Sequence, residues 1–278
     1  MISLIRTEFT KAARRMRTLV IALLLVGLPI LIVVAIDSRG DRPRRADNDG
    51  PGLFRLATQS GLLVPAAVLS VTSAFLLIVI AGTFAGDSVA SDANWGNLRY
   101  LLMRPVPRGR LLVAKAFVAG VMIWAAVLLV TIAALIAGVI MFGYHDVSVP
   151  GIPGIFGGYD MSTDTLLLRL VIATAYVAFG FTALLALGTM FSVLTDTSAN
   201  AIGATIGVYI VSEILDAIDQ LGVVRYAFPT HYSEAWESMF RDNTYSKEML
   251  IGIIVQVAYF VVFGALALVA FKRRDIKS

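Results

Sequence analysis

GDSVASDANWGNLRYLLMRPVPRGRLLVAK, the stretch from Gly86 to Lys115, is polar and rich in arginine and lies between two long apolar runs. Its four arginines and two prolines are incompatible with a helix that crosses a bilayer. Three leucines at helical spacing predict instead a short amphipathic helix: Leu98, Leu101 and Leu102. Pro105 and Pro107 are expected to end that helix. The residues alone fit either a docking element at the membrane surface or an ordinary solvated loop.

The composition is that of an integral membrane protein. The chain has 278 residues, of which 58% are hydrophobic and 15% charged, and its mean hydropathy is +0.82. With no cysteine and two histidines it offers neither disulfides nor a thiolate or histidine metal cage. The net charge of +4 reflects membrane topology, so no nucleic-acid partner is expected.

Six apolar runs are each long enough to cross about 30 Å of hydrocarbon. They are residues 19–36, 62–85, 117–144, 166–194, 199–218 and 249–271. Residues 1–278 therefore form a single polytopic transmembrane domain of the all-α class. Before the first run, residues 1–17 have apolar side chains at helical spacing and five basic residues, which predicts an interfacial amphipathic helix. A signal peptide is the alternative, and we reject it because the run that follows has no A-x-A cleavage site.

The distribution of Lys and Arg predicts that both termini are cytoplasmic. With this orientation 14 of the 23 basic residues lie inside and nine outside. The loop at residues 37–60 holds five arginines and opposes the trend, although it also holds four aspartates. We expect a multi-pass protein of the plasma membrane, in contact with the lipid bilayer.

The order of residues in the polar stretch resembles a known family. Trp95-Gly96-Asn97-Leu98-Arg99, then Leu101-Leu102-Met103-Arg104-Pro105-Val106-Pro107-Arg108, and then Lys115 are similar to the segment between spans two and three of type-2 ATP-binding-cassette (ABC) exporter permeases. Asn97 stands where threonine is commoner, and Asp92 where a glutamate often occurs. The segment Phe271 to Ile276 resembles the usual end of the last span.

The resemblance implies the type-2 exporter membrane-domain fold, with a short cytoplasmic coupling helix between spans 2 and 3. It also implies a permease subunit that forms a translocation path for efflux and pairs with a second permease, identical or different. Two copies of a separate ABC ATPase subunit would bind the coupling helix. The residues that would make this contact are Trp95, Leu98, Arg99, Leu101, Leu102, Arg104, Pro105 and Arg108.

The chain has no G-x-x-x-x-G-K-[ST] phosphate loop. No nucleotide cofactor is therefore expected in this chain, and ATP and Mg would be bound by the partner ATPase. G-x-S-x-G and H-E-x-x-H are also missing, so the chain is not expected to be an enzyme. Two alternatives are a secondary transporter, which often shows repeats or broken helices, and a membrane-embedded enzyme.

Two further groups are candidates with competing interpretations. Two pairs of glycines are spaced four residues apart: Gly82 with Gly86, and Gly203 with Gly207. Each pair fits either close helix packing within one subunit or a dimer seam. The resemblance favours the dimer seam for Gly203 and Gly207. Glu213 and Asp216 lie near the outer end of span 5, either as an acidic vestibule for cationic cargo or as partners of Arg225 or Arg169. An aromatic segment at residues 228–236, with Trp236, is predicted to lie in the outer headgroup layer.

Overall fold

A computed structural model describes residues 2–38, 60–94, 107–149, 159–241 and 247–273 of the chain. Six helical segments among these residues are long and apolar enough to cross a membrane, which confirms the predicted helical multi-pass architecture. The helices are α1 Ile2–Ala13, α2 Met16–Asp37, α3 Val64–Ala74, α4 Leu76–Asn94, α5 Arg108–Phe142, α6 Thr163–Gly180, α7 Thr182–Leu194, α8 Ser198–Asp216, α9 Ser238–Arg241 and α10 Lys247–Arg273. Spans 1 to 6 are α2, α4, α5, α6 with α7, α8 and α10.

The predicted N-terminal helix is present as α1, and the chain turns at Arg14 and Arg15 into α2. The hydroxyl of Thr18 donates to the carbonyl of Ala12 across this turn at 2.8 Å. One narrow stripe then holds α2 on the bundle, because its buried residues lie four apart: Leu25, Pro29 and Val33. Ile21 and Ile32 are partly buried beside this stripe, and the large apolar side chains on the other sides of α2 are exposed, as expected for a helix that faces lipid.

A shared apolar cluster brings one end of four spans together with α1. Its buried members are Val89, Leu111, Leu112, Val193, Ala267 and Phe271. Leu4 of α1 packs against them. We call this end of the bundle the N-terminal face, and the other end the opposite face. α4 ends and α5 begins at the N-terminal face, so both ends of the stretch 95–106 lie there.

The apolar runs at residues 62–85 and 166–194, which the sequence predicts as single spans, are each interrupted by a helix break. Phe75 separates α3 from α4 with φ of −143° and ψ of −57°. Before this break, Ser70, Thr72 and Ser73 bond backbone carbonyls of their own helix, a local bonding pattern that bends helices. Phe181 separates α6 from α7.

The break in span 4 frees backbone groups that other residues satisfy. The Ala183 amide would bond the carbonyl of Phe179 in an unbroken helix, but the hydroxyl of Thr182 bonds that carbonyl at 2.8 Å. The Ala183 amide donates instead to Oε1 of Gln256 in α10, at 3.2 Å. Nε2 of Gln256 donates to the carbonyl of Pro229 at 2.9 Å. A single amide side chain thus links span 6, the break in span 4 and the segment after span 5.

Two helix boundaries differ from the predicted ones. α4 continues to Asn94 and α5 begins at Arg108, whereas the sequence predicts that the neighbouring spans end at Ala85 and begin at Phe117. Residues 86–94 are therefore part of a long helix rather than of a polar surface segment. The polar side chains in this helix are accepted because basic residues from α1 and α5 bond them. The predicted coupling helix itself lies outside the described residues.

The segments on the opposite face are more structured than the sequence predicts. β1 (Val147–Val149) pairs antiparallel with β2 (Tyr159–Met161) in a region predicted as a polar loop. After span 5 come the 3-10 helices Asp219–Ala227 and Ala235–Glu237. Trp236 is fully buried and packs edge to face on Phe240, so its side chain contacts the protein core rather than lipid headgroups. It fills the protein core because α9 and the 3-10 helices fold back on α6 and α10.

The closest backbone approach between two spans is set by a glycine in α4. A Cβ atom on Gly86 would lie 2.8 Å from the backbone nitrogen of Ile202 in α8, and one on Gly82 would lie 2.6 Å from the Ile206 side chain. The pair Gly82 and Gly86 is thus used for packing within the chain.

We predict that Gly86→Ala lowers the thermal stability of the detergent-solubilised protein. The added methyl group would push α4 away from α8, and overpacking of this kind costs about 1–3 kcal/mol. Gly264→Ala in α10 is the control, because nothing lies within 4 Å of a Cβ atom there. It should be neutral or slightly stabilising, since alanine favours helix. Equal melting temperatures for the two variants would contradict the close α4–α8 contact.

Candidate functional site

The sequence predicts an ATPase-coupling site at residues 95–108, and most of it lies outside the described residues. Those residues are Trp95, Leu98, Arg99, Leu101, Leu102, Arg104 and Pro105. Arg108 is described, and it opens α5. Its Nη1 donates to the carbonyl of Lys272 at the end of α10, at 3.3 Å. Arg108 therefore joins spans 3 and 6 at the N-terminal face.

Beside this stretch is a cluster of charged side chains that we call the ionic cluster. Its members come from α1, the α1–α2 turn, the first turn of α2, α4 and α5: Glu8, Lys11, Arg15, Arg17, Asp87, Ser91, Asp92 and Lys115. It joins the N-terminal helix to both helices that flank the stretch 95–106.

The first half of the ionic cluster centres on Asp92 and Lys115. Lys115 of α5 bonds Asp92 of α4 directly, and its Nζ lies 2.9 Å from a carboxylate oxygen of Glu8 in α1. The second oxygen of Asp92 lies 2.5 Å from Nζ of Lys11. Asp92 and Lys115 are only 2% and 3% exposed. Water therefore screens this pair little, and each charge depends on its partners.

The second half of the ionic cluster centres on Asp87, one and a half turns earlier in α4. One carboxylate oxygen of Asp87 accepts from both Arg15 and Arg17. Arg15 also reaches the hydroxyl of Ser91, at 3.4 Å. Asp87 and Ser91 lie one above the other on α4, because helical residues four apart are neighbours. This side faces the turn between α1 and α2.

Between the two aspartates, a side chain from α7 bonds the backbone of α4. Oγ of Ser192 accepts from the backbone amides of both Val89 and Ala90, each at 2.8 Å. Helix amides normally donate to carbonyls of their own helix, and an inserted side chain weakens that ladder. Ser192 is fully buried, so the contact ties the last turns of α4 to span 4.

The carboxylates of the ionic cluster are paired with cations of the same cluster. In the part of the chain that the structure describes, no group of three or more His, Asp or Glu side chains is placed to hold a metal ion. Every carboxylate of the cluster is bonded to a Lys or Arg side chain. Such groups hold helices in position, and they do not serve as free acids or bases.

The second pair of small residues lies on a free surface of span 5. Gly203 and Gly207 have nothing within 4 Å of an added Cβ atom, in contrast to Gly82 and Gly86. Both are exposed, together with Val208, Val211 and Ile214 on the same helix. This face of α8 is therefore open to lipid or to another membrane protein.

Glu213 and Asp216 have different immediate contacts. Asp216 lies 2.7 Å from Nδ1 of His231 and 3.7 Å from Nε of Arg225, which is the pairing with Arg225 that the sequence allows. Arg169 is directed elsewhere, since it donates to the carbonyl of Met239.

Glu213 lines a small cavity between spans 4, 5 and 6, with Tyr176, Tyr209 and Gln256. The cavity also touches both helix breaks, through Ser73 and Phe181. Its volume is about 30 Å³, the space of roughly one or two water molecules. It is far smaller than the roughly 300–1,000 Å³ of a site for a drug-sized ligand.

Comparison with known protein families identifies the family of this chain. A family model described as "Protein of unknown function (DUF2705)" matches residues 55–277. The chain belongs to the DUF2705 family. It is also 24% identical over 212 residues to the uncharacterized protein YhcI of Bacillus subtilis (strain 168). That match covers 74% of this chain and 64% of the relative, so the chain spans somewhat less than two thirds of the relative's length.

The DUF2705 match divides the ionic cluster into two parts. Asp87, Ser91, Asp92 and Lys115 lie within the matched residues, and the four members from α1 and the following turn lie before them. The matched part supplies the two aspartates, and the preceding part supplies three of the four cations.

Sequence reasoning found Asp92 and Lys115 only as neighbours of the polar stretch and missed Asp87 altogether. The available signal was the spacing of Asp87, Ser91 and Asp92, which fits one helix face, opposite a basic run at residues 11–17. Assigning residues 86–94 to a surface segment concealed that spacing.

We predict that Asp92→Asn destabilises the DUF2705 protein strongly and loosens α1. The substitution leaves Lys115 buried without its main partner, and breaking a buried ion pair costs about 3–5 kcal/mol. The measurement is the melting temperature in detergent, combined with the rate of tryptic cleavage after Lys11 and Arg14.

Asp219→Asn is the matched control for this prediction. Asp219 is paired with Arg225, but its side chain is 87% exposed, so the loss should be at most about 1 kcal/mol. Similar melting temperatures and cleavage rates for the two variants would show that the ionic cluster does not hold α1.

Proposed function

We propose that this protein is the membrane subunit of an ATP-driven exporter, which forms a translocation path and is moved by a separate ABC ATPase. The observation that supports this most is the ionic cluster, because it fixes both helices that flank residues 95–106. Asp92 lies two residues before α4 ends, and Lys115 lies in the second turn of α5. A force applied to residues 95–106 would therefore be transmitted to α4 and α5.

The proposed contact with the ATPase follows from the chemistry of the stretch. Leu98, Leu101 and Leu102 provide an apolar face that a cleft in the ATPase would bury. Arg99 and Arg104 provide guanidinium groups for charge-assisted bonds to carboxylates of the ATPase. Trp95 and Pro105 bound the segment between them. Arg108 anchors its end to α10, as described above.

In this proposal the partner ATPase binds and hydrolyses the ATP, because the chain lacks a phosphate loop. When the ATPase subunits close on ATP and Mg, the stretch is carried with them and α4 and α5 follow. The N-terminal face is then cytoplasmic, in agreement with the bias of basic residues. The membrane is the plasma membrane in this proposal.

The path for the exported substance is proposed to lie between two membrane subunits. The cavity at Glu213 is too small for a drug-sized solute, so it does not offer such a path within one chain. The exposed face of α8 with Gly203 and Gly207 suits a second subunit, since small residues allow close approach in lipid.

A secondary transporter is the second candidate, and one observation favours it. Spans 2 and 4 are both broken, at Phe75 and Phe181, and both breaks touch the cavity that Glu213 lines. Broken helices around a polar site are typical of secondary transporters. This candidate needs no ATPase and gives residues 95–106 no role.

We predict that Leu98→Asp combined with Leu102→Asp releases the ATPase. Two carboxylates on the apolar face would be costly to bury, so the tagged protein purified from its own membranes should lose at least about tenfold of a co-purifying ATPase with a phosphate loop. ATP turnover of the purified fraction should fall in parallel.

The control for this pair is Val223→Asp with Val224→Asp, which places the same charges at exposed positions on the opposite face. That variant should retain the ATPase. Full retention and normal turnover in the Leu98 and Leu102 variant would reject the coupling site. Absence of any such ATPase from the unaltered protein's preparation would favour the secondary transporter.

We predict that Gly203→Cys forms a disulfide-linked dimer in membranes under mild oxidation. The chain has no cysteine, so a single introduced thiol reports only on its own surroundings. Gly264→Cys in α10, also open around its Cβ position, is the matched control and should remain monomeric. Equal cross-linking of both variants, or of neither, would reject α8 as the seam.

A further inference from the structure

The exposed side of α1 is a basic groove that the proposed function does not use. Its lining residues are Arg6, Thr7, Thr10, Lys11 and Arg14. Their spacing of one, four, five and eight residues puts them on one face of the helix. The other side of α1 packs on α5 and carries Glu8 toward Lys115. One helix therefore has an anchored acidic side and an open basic side.

The charges of this groove are only partly neutralised by the protein. Arg15 and Arg17, just after α1, are bonded by Asp87, and Lys11 is bonded by Asp92. Among the described residues, Arg6 and Arg14 have no carboxylate within 4.0 Å. Both are exposed. The groove thus offers two unneutralised guanidinium groups with a half-exposed ammonium group between them.

The groove lies at the edge of the lipid. α2 begins two residues after Arg14. Its first turns expose large apolar side chains, with Met16 75% and Val20 60% exposed, which fits contact with acyl chains. Arg6 and Arg14 are about 12 Å apart along the helix axis, at about 1.5 Å per residue. A helix of this kind lies in the plane of the membrane, at the level of the headgroups.

We propose that the α1 groove binds the headgroup phosphate of an anionic phospholipid. Arg6 and Arg14 attract the phosphate by their positive charge and donate N–H groups to its oxygens. Lys11 takes part from the middle of the groove while it stays bonded to Asp92. The bound headgroup therefore stabilises α1 on the ionic cluster. This inference does not depend on an ATPase or on transport.

The test uses the purified full chain, with its native lipid removed in a neutral detergent. Dioleoylphosphatidylglycerol and dioleoylphosphatidylcholine are titrated separately, and bound lipid is counted by native mass spectrometry. We expect saturable binding of phosphatidylglycerol. Arg6→Gln with Arg14→Gln should weaken it about 30-fold, because each basic residue at a membrane surface contributes about 1 kcal/mol. Arg6→Lys with Arg14→Lys should bind within about threefold of the unaltered chain.

Lys272→Gln with Arg273→Gln is the matched control, since both side chains are exposed at the N-terminal face. It should bind phosphatidylglycerol like the unaltered chain. An equal loss in this control would overturn the proposal, because binding would then depend on net charge alone. Equal binding of phosphatidylcholine would also overturn it.

Inorganic phosphate separates a lipid from a free anion as the ligand. At millimolar concentration, inorganic phosphate should leave phosphatidylglycerol bound. Complete displacement of the lipid by phosphate would assign the groove to a small phosphate compound and would overturn the proposal of a lipid ligand. Melting temperatures in phosphatidylcholine should be equal for the α1 and control variants. If the variant with both Arg6→Gln and Arg14→Gln melts at a lower temperature, lipid binding is measured instead in the lysine pair and in each single glutamine variant. Unchanged binding of phosphatidylglycerol in both single variants would reject the site.

Discussion

The buried ion pair between Asp92 and Lys115 is the interaction on which the N-terminal face depends. A pair with so little exposure is stable only if its remaining hydrogen-bonding capacity is used, and here Lys11 and Glu8 supply the additional bonds. Both come from α1. Asp92 of span 2 and Lys115 of span 3 thus need bonds from α1. In turn, α1 links the two spans through these bonds.

A second constraint comes from the membrane, where backbone groups cannot bond water. The structure meets it at two points with one polar side chain from a neighbouring span. Gln256 bonds the amide left over at the break in span 4, and Ser192 bonds two amides in α4. These side chains lie inside long apolar helices, where polar residues are expected to have a specific role. Their role here is to accept hydrogen bonds from backbone amides inside the bundle.

The six spans and the N-terminal helix could be predicted from the sequence because hydrophobic length and periodicity determine them locally. The helix breaks could not, since Phe75 and Phe181 are apolar and neither break contains proline. The break in span 4 is bonded by Gln256, which is distant in sequence. Trp236 was placed in the headgroup layer because aromatic residues are common there, but the fold of residues 219–241 buries it.

The same reasoning explains why only part of the candidate site was predicted. Arg108, Asp92 and Lys115 were recognised by their order in a familiar stretch. Asp87 was not, because a carboxylate in an apolar helix is acceptable only when cations such as Arg15 and Arg17 meet it, and those lie some 70 residues away. Gly203 and Gly86 have the same local pattern, and only the packing of α4 on α8 shows that one is inside and the other outside.

α4 connects these features into one mechanical unit. Its end carries the two aspartates of the ionic cluster, its middle lies against the backbone of α8 at Gly86, and its start is the break at Phe75. A push on its end cannot bend the close contact with α8, because packed helices shift as bodies rather than deform. α4 and α8 must therefore move together, and the compliant points are the break at Phe75 and the cavity beside it. In the proposed exporter, a force on residues 95–106 would thus enter α4 at Asn94 and pass from α4 to α8 and the exposed face of span 5.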